Sequence, residues 1–205
     1  MRALPTQARA KLKRTALVDA AVLSFSTLGF DVSTAKSIAA QAGVATGTFY
    51  QYFDNKNEIL RVIATERYGQ LQAHLEWFDV TDKDLMEGDL NKVFLRFFQS
   101  IYDFHEKNSE LHQVLEQRKT QDEQLMVIMN EGQEDLFSRL LLLVKSFDID
   151  QPEVVTSNLF AMGEGVVHRQ VFEKTNLNTN DVLTMGAKML ASYFINQRRS
   201  KAKPL

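Results

Sequence analysis

An all-α fold follows from three features of this 205-residue chain. Apolar residues recur at three- and four-residue spacing along most of its length. Only three prolines and nine glycines interrupt it. Alternating runs of β-branched residues, the mark of strands, are few. With 44% hydrophobic and 24% charged residues, the composition is that of an ordinary globular protein able to bury a substantial core. The pattern predicts about nine helices. They divide into a small N-terminal three-helix domain over residues 1–54 and a larger helical domain over 55–205.

Composition also excludes several classes of chemistry. The absence of cysteine removes disulfides, cysteine-ligated zinc and thiol catalysis, and suits a reducing cytoplasm. The opening MRALPTQARAKLKR lacks the apolar run of a signal peptide. No stretch approaches the ~20 apolar residues needed to span a bilayer, so a cytoplasmic protein without a membrane partner is expected. The net charge of −2 conceals an asymmetry. Residues 1–61 carry eight basic and four acidic side chains, the remainder 16 and 22, so a head of +4 sits on a body of −6. A basic head on an acidic body suits polyanion binding by the head alone.

Taken in order, residues 1–14 hold five basic side chains and no acid, either a solvated tail or an arm that tracks phosphates. The first helix is expected from Arg9 to Leu28, with Leu17, Ala20, Ala21, Ser24, Phe25 and Leu28 facing inward. Gly29 ends it and Phe30 folds back as a plug. Ser33 to Lys56, STAKSIAAQAGVATGTFYQYFDNK, then reads as two short helices around a glycine-bearing turn. Thr34 to Ala42 has small apolar residues that admit a close neighbour. Gly43 supplies the left-handed turn, and Val44 fills the corner. Ala45 to Tyr52 places Thr46, Gly47, Thr48, Gln51 and Tyr52 on a face with little to bury. A helix-turn-helix presenting such side chains fits a DNA major groove.

Asn55 and Glu58 form the pattern of a capping box opening a long helix to about residue 78, and residues 80–89 read as a loop. In the body, Leu90 to His105 makes an aromatic stripe. A short helix follows from Ser109, as its cap, to Lys119, and a long one runs from about Asp122 to Phe147. A helix starting at Pro152 reaches about Lys174. The last is capped by Asn178 or Thr179, with Val182, Leu183, Gly186, Met189, Leu190, Tyr193 and Phe194 inward.

Leu17 to Ala21, Phe25, Gly29-Phe30, Ser33-Thr34, Ile38-Ala39, Ala42-Gly43-Val44, Gly47-Thr48-Phe49-Tyr50, Tyr52-Phe53 and Asn55-Lys56 together resemble the N-terminal DNA-binding domain of TetR-family transcriptional regulators. The resemblance covers residues 9–62 in continuous order and spacing. It implies a two-domain all-α homodimer whose larger domain binds ligand and dimerises. Such a dimer binds a palindromic operator in double-stranded DNA, usually as a repressor, and a small effector, apolar or aromatic here, releases it. By the same resemblance, Thr34 and Lys36 from the first motif helix, and Thr46, Gly47, Thr48, Tyr50, Gln51 and Tyr52 from the second, face DNA. Tyr50 and Lys56 match phosphate-binding positions, and the Gln51 amide suits bidentate contact with adenine. Two departures stand out. Ala45 replaces a serine cap, at a cost of about 1 kcal/mol to the recognition helix, and Thr46 replaces a commonly basic residue.

In the body, Trp77, Phe98, Tyr102, Met126, Met129 and Phe160 are candidates to line an effector pocket, although stripes this apolar are ordinarily core. Met162, Val166, Met189, Leu190 and Tyr193 are candidates for the dimer interface on the last two helices. His74, His105, His112 and His168 form no metal-binding motif, and no nucleophile–base pair or phosphate loop is present. Neither an enzyme nor a cofactor is expected. Gly163-Glu164-Gly165 has no preceding strand and reads as a close helix contact rather than a dinucleotide loop. A dimeric DNA-binding regulator controlled by a protein partner is the alternative.

Overall fold

A computed structural model describes residues 8–75, 88–173 and 175–202. Nine helices and no strand occur among them: α1 (Ala8–Leu28), α2 (Ala35–Gln41), α3 (Thr46–Tyr52), α4 (Lys56–His74), α5 (Leu90–Glu106), α6 (Ser109–Lys119), α7 (Glu123–Ser146), α8 (Pro152–Phe172) and α9 (Thr179–Ala202). The all-α expectation holds. Trp77, the basic residue of 1–7 and most of the expected 80–89 loop lie outside the described residues.

The chain folds into two compact units, Met1–Gly69 with Asn108–Gly132, and Gln70–Lys107 with Gln133–Leu205. Segment 108–132 therefore packs with the N-terminal helices although it is distant from them in sequence. In the first unit, Leu17, Phe25, Ile38, Phe49, Phe53, Ile59 and Leu60 form one buried cluster with Leu111, Leu115, Leu125 and Met129. In the second, Phe94, Phe98, Leu143, Val144, Val167, Leu183 and Phe194 share a core in which the Phe194 ring lies 4.6 Å from Phe147 and 5.3 Å from Phe94. Burial at this density, roughly 1.5–3 kcal/mol per large apolar side chain, is what holds each unit together.

Local chemistry sets the helix ends. Gly29 ends α1 at φ +81° and Gly43 ends α2 at φ +67°, the left-handed conformation expected of both. Asn55 caps α4, its Oδ1 accepting from the Asn57 and Glu58 amides at 3.0 Å, while Glu58 reaches back to the Asp54 amide rather than to that of Asn55. The Asp122 carboxylate accepts from the Leu125 amide at 3.0 Å and so starts α7. Pro152 occupies the first turn of α8, and Asn178 caps α9 through the Asp181 amide. Ser109 is not the cap of α6. Asn108 holds that position without a side-chain bond, and the Ser109 hydroxyl donates to Glu110 instead.

Two glycines permit close approach. A Cβ at Gly186 would stand 3.3 Å from the Phe98 ring, and one at Gly132 would stand 2.4 Å from the Tyr68 ring, where no real contact is tolerated. Gly69, one residue beyond Tyr68, is an exposed position inside α4 with nothing within 4 Å of a Cβ. Gly132→Ala is expected to destabilise the protein by about 1–3 kcal/mol through overpacking. Gly69→Ala is expected to stabilise it by about 0.5–1 kcal/mol through helix propensity. Opposite displacements of the unfolding midpoint in urea check the pair.

Candidate nucleic-acid interface

The candidate surface is built outward from two buried phenylalanines. Phe49 and Phe53 are fully buried, 5.7 Å apart, and fix α3 to the first core from one side. The other side of this seven-residue helix then faces away from that core. Gly47, Tyr50 and Gln51 are exposed, and Thr46, Thr48 and Tyr52 half-buried, Tyr52 packing against the cluster. Thr34 and Lys36 are exposed on the neighbouring helix α2. The face thus offers hydroxyls, an amide and a phenol, groups that match base edges and phosphate oxygens.

The α2 N-terminus carries a capping box that no glutamate or glutamine announces in the sequence. Thr34 Oγ1 accepts from the Ser37 amide at 3.0 Å, and Ser37 Oγ accepts from the Thr34 amide at 3.0 Å. The pattern was hidden because serine here fills the place usually held by glutamate or glutamine. Helix α3 has no equivalent. Ala45 sits at its N-cap in extended conformation with no side-chain bond, consistent with the missing serine.

The corner between α1 and α2 is tied down by polar groups. Ser33, fully buried, donates from its hydroxyl to the Gly29 carbonyl at 2.8 Å, which leaves the Ser24 hydroxyl as donor to Ser33 across 2.7 Å. Lys56 Nζ donates to the carbonyls of Phe30 at 2.8 Å, Asp31 at 3.2 Å and Ser33 at 3.2 Å. It also stands 4.4 Å from the centre of the Phe30 ring. Lys56, matched to a phosphate-binding position by resemblance, therefore has all three N–H donors directed at backbone. Arg14, counted with the basic arm, pairs with Glu66 at 3.3 Å and lies 5.5 Å over the Phe53 ring.

A second tie joins α4 to the start of α7. Arg61 Nε donates to both Asp122 oxygens, at 3.0 and 2.9 Å, while Arg61 Nη2 lies 2.9 Å from Oδ1 and Nη1 donates to Gln124. A small polar cleft lies beside it, lined by Asp54, Asn55, Glu58, Arg61, Gln124 and Ile128. Burial pushes the Asp122 carboxyl up. The Arg61 bonds and the Leu125 amide overcome that and hold it below its ordinary value of 3.8.

The other candidate residues are dispersed. Met126 is exposed and Met129 is buried in the first unit, whereas Phe98 is core and Tyr102 and Phe160 are half-buried in the second. Tyr102 donates to Glu106 at 2.8 Å. On α9, Met189 is 59% and Tyr193 37% exposed, while Leu190, at 6%, faces its own core. Met162 and Val166 pack partly against that core. His105 and His168 meet edge to face with ring centres 4.9 Å apart.

Residues 17–63 match the family described as bacterial regulatory proteins, tetR family. The fatty acid metabolism regulator protein of Bacillus subtilis is 36% identical over 89 residues, 43% of this chain and 45% of that one. The match thus spans less than half of that relative's length. A crystal structure described as a TetR-family transcriptional regulator from Mesorhizobium loti shares the fold with a TM-score of 0.75 at 20% identity, covering 93% of this chain and 98% of that one. The SmeT–triclosan complex does so with a TM-score of 0.68 at 20% identity, covering 88% and 90%.

Two measurements check the local physics. Because the Asp122 carboxyl is held low in the folded state, its contribution to stability is complete above its ordinary titration range. It is lost as pH falls below 3.8 toward the depressed native value. The stability difference between wild type and Asp122→Asn, followed by chemical denaturation, is accordingly expected to be constant near neutrality and to shrink in acid. Ala45→Ser is expected to stabilise α3 by about 1 kcal/mol and to slow amide exchange at residues 46–49.

Proposed function

From the match of residues 17–63 to the TetR family, we infer that this chain is a transcriptional regulator: a ligand-responsive repressor that binds a palindromic operator as a dimer. The observation that carries the reading is the split character of α3, which is anchored by Phe49 and Phe53 on one side and exposes Gln51, Tyr50 and Gly47 on the other. Gln51 reads a base edge, and Thr34, Lys36, Thr46, Thr48, Tyr50 and Tyr52 set the helix against the phosphates around it.

One motif reads only a half-site, so specificity calls for two copies with their recognition helices ~34 Å apart. The exposed Met185, Met189 and Tyr193 on α9 give a second copy an apolar surface to cover. A small apolar or aromatic molecule in the second unit is the effector. The name of the Bacillus subtilis relative and the triclosan bound to SmeT support an effector of that character. The effector acts by preferring the conformation in which the two heads are misplaced, and DNA and effector then oppose each other by the same factor. Among the described residues no helix is long and apolar enough to cross a membrane.

Selection of bound duplexes from a randomised pool tests the reading, and a palindromic consensus is the expected outcome. Gln51→Ala is expected to lose discrimination at one base pair per half-site by about 1–3 kcal/mol. Tyr50→Phe is expected to weaken all sequences alike. Unchanged relative preferences for Gln51→Ala would remove it from the base-reading role.

A further inference from the structure

From outside the motif, Arg118 on α6 meets the turn that precedes α2. Its guanidinium carbon lies 4.4 Å from the centre of the Phe30 ring, the same distance at which Lys56 Nζ stands over that ring. Arg118 Nη1 is 3.6 Å from Asp31 and also donates to Gln121, which holds the side chain in place. Phe30 itself is buried and stacks on Phe25 at 5.1 Å. One aromatic ring in the turn before α2 thus carries two cations, one from α4 and one from a helix 88 residues further along the chain.

We propose that Phe30, Lys56 and Arg118 form a clasp that positions the reading helices, with Arg118 as a positioning residue for DNA recognition and Lys56 spent on the clasp rather than on a phosphate. Three observations support it together. The three Lys56 donors are directed at the carbonyls of residues 30, 31 and 33, the segment that leads into α2. Arg118 touches that segment by its ring and by its acid. The bidentate Arg61–Asp122 pair repeats the tie about one and a half turns along α4, so that α6 and the start of α7 hold the head at two points. Cation–ring attraction is strengthened where water is excluded, and half-buried Lys56 and Arg118 meet that condition. The Arg118–Asp31 pair contributes little, because Asp31 is 88% exposed. The proposal rests on the DNA-reading assignment for its purpose, though not for its geometry.

The test uses the full-length chain in two arms. In the first, amide exchange is followed without DNA. Arg118→Gln and Phe30→Leu are each expected to accelerate exchange across residues 30–41 about tenfold, the double variant no more than either alone. Arg118→Lys is expected to restore most of the protection, and Asp31→Asn to leave it unchanged. Unaltered exchange in Arg118→Gln would overturn the clasp even if the chain bound no DNA, an outcome that would overturn only the proposed function. In the second arm, affinity for a duplex recovered by selection is measured against salt concentration. Arg118→Gln and Lys56→Met are expected to weaken binding at least fivefold at one salt concentration with an unchanged salt slope. A slope reduced by about 0.9 for Lys56→Met would make Lys56 a phosphate ligand and overturn its place in the clasp. Full affinity in Arg118→Gln would overturn the positioning role.

Discussion

The placing of α2 beside α1 depends on satisfying the backbone of one sharp corner. Between α1 and α2 the chain reverses through Gly29 and exposes carbonyls at residues 30, 31 and 33 that no helix can use. A single ammonium collects all three, and a buried serine takes the carbonyl of Gly29. Orphaned backbone groups near a buried ring are costly, so this arrangement leaves the corner one favourable geometry rather than several. The orientation of α2, and through it of α3, is inherited from that geometry.

Much of the fold was legible because it is written in local repeats. Gly29, Gly43, Phe25, Phe30, Phe49 and Phe53 each do what spacing and side-chain type foretell, since a turn or a helix face involves residues only a few positions apart. The missing cap at Ala45 could be read for the same reason. What escaped notice is carried by residues far apart in sequence. Arg61 with Asp122, and Phe30 with Arg118, are separated by 61 and 88 positions, and no periodicity announces such a pair. Ser24 and Ser33 form a bond that only the closed corner creates.

A related limit applies to apolar stripes. Spacing shows that a residue faces something, but not what. Leu190 and Met189 are adjacent on one helix, yet the first fills its own core and the second is exposed. Met126 and Met129 read alike, as core first and as pocket lining second. Their environments, one open and one closed, reflect how α6 and the start of α7 pack with the N-terminal helices. The Ser109 error is of the opposite kind, a local rule overridden by a neighbouring asparagine that starts the helix by backbone conformation alone.

The attachment of α3 by two rings has a consequence for how such a protein changes over generations. The burial that keeps the helix in place comes from Phe49 and Phe53 with Tyr52 packed beside them, and the exposed positions Gly47, Tyr50 and Gln51 contribute little to folding. On the proposed DNA-reading role, substitutions there alter which duplex is favoured without drawing on the stability that keeps the chain intact. Address and architecture are thereby separable, and a duplicated copy can acquire a new target by exchanging a few exposed side chains while its scaffold stays the same.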